Sequence, residues 1–144
     1  MTAARLSSCA IVFVCPRVEK TAEYYREVLG FRVVEHYEQA EKFAALYRDA
    51  VEIVLVQANQ GEVLPNRERY GAGFDAYLVP DYPDETVESF YNEVQGKGAQ
   101  IVQPLETTPY GSLEFAFRDL DGRIVGVGHV KKEDGRFFGS KPVT

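Results

Sequence analysis

The sequence predicts an α+β protein made of two tandem β-α-β-β-β modules, and two observations lead to this fold class. Apolar runs of strand length alternate with segments whose apolar residues recur at helical spacing. The chain also repeats itself: TAEYYREVLG (Thr21–Gly30) resembles VESFYNEVQG (Val87–Gly96), and FAALYRD (Phe43–Asp49) resembles LEFAFRD (Leu113–Asp119). Because one such module cannot cover both faces of its own sheet, we expect the two modules to pair around one core.

The first module is predicted to begin with a buried strand and to continue into an amphipathic helix that stops before Gly30. Three further strand-like runs follow the helix. The five segments in chain order are Cys9–Cys15, Val18–Leu29, Phe31–Tyr37, Lys42–Tyr47 and Val51–Gln57.

The second module repeats this order, with a helix that opens at Pro83 or Asp84. Its predicted strands are Phe74–Val79, Ala99–Gln103, Ser112–Phe117 and Arg123–Val130. We therefore expect one domain over residues 1–130, made of a module at 7–57 and a module at 73–130. A polar linker with glycine and proline joins them at 58–72, and residues 131–144 form a C-terminal tail.

Composition excludes several classes of protein. The formal net charge of -6 argues against nucleic-acid binding, which needs a basic surface to neutralise phosphates. No apolar run approaches the roughly 18 residues of a membrane span, and the N-terminus lacks the pattern of a signal peptide. A cytoplasmic location is therefore expected.

Two side-chain groups invite a structural interpretation. Cys9 and Cys15 fall in one predicted strand about 20 Å apart, too far for a disulfide, so both are expected to be core thiols. In the stretch RDLDGR, Asp119, Asp121 and Gly122 are expected to shape a hairpin, with glycine supplying a positive φ and an Asp side chain bonding the backbone of the turn.

Two longer segments carry a resemblance to a known family. VEKTAEYYREVLGF (Val18–Phe31) and RDLDGRIVGV (Arg118–Val127), in a duplicated chain of this length, resemble the vicinal-oxygen-chelate superfamily of glyoxalase I, extradiol dioxygenases, and fosfomycin- and bleomycin-resistance proteins. The resemblance covers about residues 7 to 130. It implies an open, incurved mixed sheet that forms a cup, in which metal-using members place one ligand from each of four strands.

The resemblance also implies where such ligands would lie in this chain. Three of the four positions fall on Ala10, Val54 and Gly126, and the fourth falls on Phe74, Asp75 or Ala76. At least three of these positions carry no donor atom, and one carboxylate does not hold a divalent ion. His36 and His129 fall at none of them and are expected at the surface or a strand edge. No metal and no other cofactor is therefore expected.

Strand alternation extends this assignment to a candidate ligand site. Gly126 and Gly128 lie on one face of a strand, which either opens room for a ligand or permits a tight packing contact. Glu114 and Arg118 point toward the cup or its rim, or else pair with each other. The residues expected to bind the ligand are Glu52, Val54, Phe74, Tyr110, Glu114, Arg118 and Gly126.

Aromatic walls with one or two carboxylates suit a planar or cationic organic ligand. The metal-free bleomycin-resistance proteins are similar, since they sequester a cationic drug in clefts formed by a dimer. The sequence therefore predicts a homodimer that binds a small organic molecule in the cup or the dimer cleft.

Two alternatives stay open. One is an enzyme of the same superfamily, such as a lyase, with Glu114 or Glu52 as a base or, less favoured, with a metal; no catalytic motif identifies its residues. The other is an interaction protein whose cup is filled by its own side chains.

Overall fold

Two four-stranded sheets, each with one long helix packed on one face, make up the part of the chain that the computed structural model describes, residues 2–129. The predicted tail at 131–144 lies outside these residues. The elements in chain order are β1 (Ile11–Cys15), α1 (Val18–Glu27), β2 (Arg32–His36), β3 (Phe43–Arg48), β4 (Val51–Gln57), α2 (Asn66–Tyr70), β5 (Ala76–Leu78), α3 (Glu85–Gly96), β6 (Gln100–Thr107), β7 (Leu113–Arg118) and β8 (Ile124–Gly128). The predicted α+β class and its two β-α-β-β-β modules are confirmed.

The sheets have the same topology. Their strand orders are β1-β4-β3-β2 and β5-β8-β7-β6, with a parallel pair at one edge of each sheet and antiparallel pairs elsewhere. The parallel registers pair Val12 with Val54 in the first sheet and Tyr77 with Gly126 in the second. Alternate residues of each strand face the helix of its own module, and we call the other side of each sheet its open face.

One hydrophobic core runs under both helices. Because the apolar residues of α1 recur at helical spacing, the helix buries Val18, Ala22 and Tyr25 on a single side. The helix-facing strand residues in the core are Phe13, Cys15, Ala44, Leu46, Ile53 and Leu55 in the first sheet and Leu78, Phe115, Phe117, Val125 and Val127 in the second.

The strand registers correct the repeat that the sequence shows. FAALYRD against LEFAFRD matches Arg48 with Arg118, but Leu46 and Phe117 both face the core, so the equivalent of Arg48 is Asp119. The two modules connect these strands differently, through residues 49–50 and residues 119–123. Because successive residues of a strand point to opposite faces, the sequence match, which is out of register by one residue, pairs residues that lie on opposite faces of the two sheets.

Helix-to-hairpin contacts join the modules at two junctions. At the first junction, the Tyr25 hydroxyl donates a 2.9 Å hydrogen bond to Asp119 Oδ2. At the second, Arg48 donates to Glu93 of α3 with 2.6 and 3.0 Å bonds. The two contacts differ in chemistry. In both, however, a residue at the equivalent hairpin position, Asp119 or Arg48, bonds the helix of the other module.

The turn RDLDGR has the predicted structure. Asp119 Oδ1 accepts hydrogen bonds from the backbone N–H groups of Asp121 and Arg123 at 2.9 and 3.0 Å. Gly122 has φ of 91°, a conformation that glycine adopts without strain.

The expectations for Cys9 and His129 are wrong. Cys9 is exposed and precedes β1, although Cys15 is buried as predicted. His129 is buried, with Nδ1 3.0 Å from Asp84 Oδ1 and Nε2 2.6 Å from the Pro80 carbonyl. The predicted linker contains the short helix α2. Within residues 2–129, no helix is long and apolar enough to cross a membrane.

Candidate functional site

The four positions at which metal-using relatives would hold ligands do not form a donor set. Val54 lies beside Val12 on the open face of the first sheet. Asp75 has both carboxylate oxygens occupied by backbone groups, because Oδ1 accepts from Asn66 N and Oδ2 from Ile124 N, each at 2.9 Å. Across residues 2–129, no group of three or more His, Cys, Asp or Glu side chains is placed to hold a metal ion. These residues do not fit a divalent metal.

Tyr77 covers the two glycines of β8. A Cβ atom built on Gly126 would lie 2.8 Å from Cδ2 of the Tyr77 ring, and one on Gly128 would lie 2.6 Å from the Tyr77 hydroxyl. Phe74 packs on the same ring, with 5.6 Å between the centroids. Of the two interpretations of the glycine pair, the structure supports a tight packing contact, in which the aromatic ring of β5 occupies the room that the glycines leave.

Glu114 is the centre of a polar cluster on the open face of the second sheet, which we call the Glu114 cluster. Its carboxylate accepts hydrogen bonds from the Tyr77 hydroxyl at 2.7 Å, from Gln103 Nε2 at 2.9 Å and from the Tyr110 hydroxyl at 2.8 and 2.7 Å. Glu114 is only 1% exposed, whereas Tyr110 is 52% exposed. Tyr110 therefore forms the outer wall of the cluster.

The two phenols of the Glu114 cluster stay protonated at neutral pH. Burial, together with the hydrogen bond to the Glu114 carboxylate, raises the pKa of Tyr77. The same two causes raise the pKa of Tyr110. Both hydroxyls are therefore hydrogen-bond donors, which is what a carboxylate requires of its neighbours.

Arg118 does not neutralise Glu114. Its Nη1 atom lies 3.6 Å from Glu68 Oε1 and donates to the Gly122 carbonyl at 3.4 Å. The alternative that Glu114 and Arg118 pair with each other is therefore wrong. The residue opposite Glu114 on β6 is Glu106, a second acidic group.

The predicted ligand-binding residues thus fall into separate groups. Phe74, Tyr110, Glu114 and Gly126 lie around Tyr77 on the second sheet. Glu52 and Val54 lie on the first sheet, where Glu52 pairs across strands with Tyr47. Arg118 reaches toward helix α2.

Sequence reasoning missed Tyr77 and Gln103. Tyr77 pairs with Gly126 in the parallel register, so it lies on the same open face. The sequence could not show this, because the register of β5 was not known. Gln103 had no such signal, because β6 has register irregularities between Ile101 and Glu106. A bulge of this kind changes the face to which later residues point.

A groove of about 510 Å³ borders the open face of the first sheet. Val12 and Val14 line it together with residues 60–64 of the linker. Asp75 and Arg123 also line it. Val12 and Val14 are 58% and 54% exposed, so this sheet lacks the aromatic cover that Tyr77 gives to the second.

Comparison with known proteins shows which family has this arrangement of strands. A family model described as the Glyoxalase/Bleomycin resistance protein/Dioxygenase superfamily matches residues 6–126. A comparison with curated proteins gave no match.

Solved structures resemble this chain in fold. A glyoxylase/bleomycin resistance protein/dioxygenase domain from Frankia sp. EAN1pec has a TM-score of 0.66 and 17% identity, covering 87% of this chain and 92% of its own. TioX from Micromonospora sp. ML1 has a TM-score of 0.59 and 19% identity, covering 84% and 98%. A virulence protein from Salmonella typhimurium has a TM-score of 0.57 and 24% identity, covering 89% and 98%.

Proposed function

The chain belongs to the Glyoxalase/Bleomycin resistance protein/Dioxygenase superfamily, and on that premise we propose that it is a metal-free member that binds a small organic cation at Glu114. The ligand is expected to carry an aromatic or other apolar body beside its positive charge. The binding site is the Glu114 cluster with the neighbouring ring of Phe74.

One observation carries the proposal: Glu114 is a buried carboxylate with only neutral donors. Buried charges in proteins are normally paired with an opposite charge or a metal. Among the ion pairs of residues 2–129, none involves Glu114, and the residue facing it on β6 is Glu106. The cluster therefore presents negative charge without a cation from its own side chains.

Tyr110 lies between Glu114 and solvent. It occupies the turn before β7, and its hydroxyl bonds both carboxylate oxygens while about half of the residue faces solvent. When Tyr110 rotates outward, a ligand cation takes its place at the carboxylate, where charge-assisted hydrogen bonds are stronger than those from neutral donors. The rings of Tyr110, Tyr77 and Phe74 then offer faces for cation–aromatic attraction.

A carboxylate base for an enzymatic reaction receives less support from the same geometry. Even after Tyr110 rotates outward, Oε1 of Glu114 still accepts a hydrogen bond from Tyr77 and Oε2 one from Gln103, so neither oxygen is fully free to take a proton from a substrate. An interaction protein is a second candidate that one observation favours, because Tyr77 fills the open face above Gly126. It predicts that no small cation binds.

A thermal-shift panel of cationic, neutral and anionic aromatic compounds of matched size tests the proposal. Cationic compounds should raise the melting temperature most, and Glu114→Gln should remove this preference. Glu52→Gln removes one carboxylate from the other sheet, so it is the matched control and should leave the ranking unchanged.

Three outcomes would count against the proposal. Equal stabilisation by anionic compounds, or an unchanged preference in Glu114→Gln, would show that Glu114 does not select charge. Consumption of a stabilising compound would identify an enzyme. A rise in melting temperature with Ni, Mn, Fe or Zn would overturn the metal-free assignment.

A further inference from the structure

Arg123 fills the space between the two modules at the first junction. Its guanidinium donates to Asp119 Oδ2 at 3.0 Å and to Asp121 Oδ2 at 2.9 Å, and it also bonds the Val14 carbonyl at the end of β1. The Arg123 Cζ atom lies 4.5 Å from the centroid of the Phe13 ring. With 4% exposure, this side chain is a buried planar cation between hairpin and strand.

The second junction has a cavity in the equivalent place. Val54 in the first sheet and Gly126 in the second occupy equivalent places in the strand registers, and so do their partners Val12 and Tyr77. Counting back three residues from the first pair makes Val51 equivalent to Arg123. Counting on from the second pair makes residues 78–80, at the end of β5, equivalent to residues 13–15, at the end of β1. Val51 and residues 78–80 line a cavity of about 390 Å³, which we call the junction cavity. The volume lies within the range of roughly 300–1,000 Å³ typical of small-molecule sites.

Apolar groups form much of the wall of the junction cavity. Phe31, Phe90, Val51, Leu78, Val79 and Pro80 line it. In the first junction, Arg123 buries the aliphatic part of its side chain. The apolar residues of the junction cavity could bury the apolar part of a ligand in the same way.

Acidic groups set the charge of the junction cavity. Arg48 lies in the wall, but its guanidinium is bonded to both Glu93 oxygens and to the Leu29 carbonyl, and its Cζ atom lies 4.8 Å from the centroid of Phe90. Asp49 and Asp81 also line the cavity, so its charged residues are three acidic and one basic. An anion is therefore disfavoured there and a cation favoured.

We propose that the junction cavity binds a compact organic amidinium or guanidinium, which occupies the place that Arg123 fills in the first junction. The planar cation pairs with the acidic side of the cavity through Asp81, and the apolar body packs against Val51 and Leu78. A planar amidinium suits this place because it offers two parallel N–H donors to a carboxylate. The site is separate from the Glu114 cluster and does not depend on it.

Benzamidine is the probe, with benzamide and benzoate as its neutral and anionic counterparts. In a titration followed by backbone amide NMR of the full chain, benzamidine should shift the amides of residues 48–51 and of Leu78, Val79 and Asp81 saturably. Benzamide should bind at least about tenfold more weakly, and benzoate should leave these amides unchanged.

Two variants locate the site. Val51→Arg should fill the junction cavity with the chain's own guanidinium and weaken benzamidine binding there by at least about tenfold. Leu120→Arg, which adds a guanidinium at an exposed position outside the cavity, is the matched control and should leave binding unchanged. If Val51→Arg does not fold, Asp81→Asn provides the second test and should also weaken binding. Glu114→Gln should have no effect on these amides, which separates this site from the one proposed above.

The inference is overturned by any of three results. The first is the absence of saturable amide shifts at residues 48–51 and at Leu78, Val79 and Asp81. The second is comparable binding of benzoate. The third is unchanged benzamidine affinity in folded Val51→Arg or in Asp81→Asn.

Discussion

The Tyr25 hydroxyl lies 2.9 Å from Asp119 Oδ2, and both residues are buried, so the helix of the first module is held to the hairpin of the second. The same carboxylate bonds Arg123, whose guanidinium reaches the Val14 carbonyl. Asp119 thus organises its own turn and also joins the two modules. The acidic stretch RDLDGR is a structural joint in this protein.

Tyr25→Phe should lower the free energy of unfolding by about 1.5–3 kcal/mol, the range for hydrogen bonds to charged groups. The variant keeps the ring, which packs edge-on against Phe31 with centroids 5.7 Å apart, and removes only the hydroxyl. Urea denaturation measures the loss. Tyr24→Phe is the control, because its hydroxyl bonds only the neutral Arg118 carbonyl and its removal should cost about 0.5–1.5 kcal/mol. Equal losses in the two variants would contradict this role of Asp119.

The sequence predicted the fold well because hydrophobic periodicity and duplication are strong signals. The bounds of β4 agree with the prediction over Val51–Gln57, and α1 begins at Val18 as predicted. The expected position of Val54 agrees with β4, where it faces away from the helix between the buried Ile53 and Leu55.

The side-chain partners of the candidate site could not be predicted in the same way. Glu114 was recognised as a candidate, but its neighbours depend on the register of β5 and on the irregular pairing of β6, neither of which the sequence specifies. The repeat FAALYRD and LEFAFRD is out of register by one residue for a related reason, since the modules use connections of different length after these strands. Local similarity does not fix register, and register decides which side chains meet.

Gly128→Ala should destabilise the protein by about 1–3 kcal/mol, the usual range for overpacking. A Cβ atom at this position would lie 2.7 Å from the Leu113 carbonyl as well as 2.6 Å from the Tyr77 hydroxyl, and a backbone group in the sheet cannot easily move. Gly96→Ala is the control, because nothing lies within 4 Å of its Cβ position and alanine favours a helix. A neutral effect of Gly128→Ala in urea denaturation would refute the close contact.

The Arg48–Glu93 pair should make stability depend on acid pH. The hydrogen bond from Arg48 lowers the pKa of Glu93 below its ordinary value of 4.5. Because the pKa is lower in the folded state, the stabilisation is present above about pH 4.5 and is lost as the pH falls through the folded pKa. Glu93→Gln should therefore lose less stability than the wild type between neutral and acid pH. Since about a third of each side chain is exposed, solvent screening limits the effect. Parallel pH profiles of urea midpoints for the two proteins would contradict it.

The two cysteines should differ in reactivity. Cys9 is exposed, whereas burial raises the pKa of the Cys15 thiol to about 11 and keeps it protonated. A maleimide at pH 8 should therefore label one thiol in the native protein and two in urea, as measured by intact mass. Cys9→Ser should remain unlabelled in its native state. Rapid native labelling of that variant would show that Cys15 is accessible.

We propose that the chain forms a homodimer in which β1 and the exposed valines of the first sheet contact a second copy. β1 is an edge strand, and Val12 and Val14 are more than half exposed on its open face. Edge strands with exposed apolar residues promote association. Light scattering should give twice the chain mass of 16.2 kDa for the wild type and the single mass for Val14→Lys. Leu120→Lys is the matched control, because Leu120 is similarly exposed but lies in the hairpin after β7. A dimer that persists in Val14→Lys would place the interface elsewhere, and a monomeric wild type would refute the proposal.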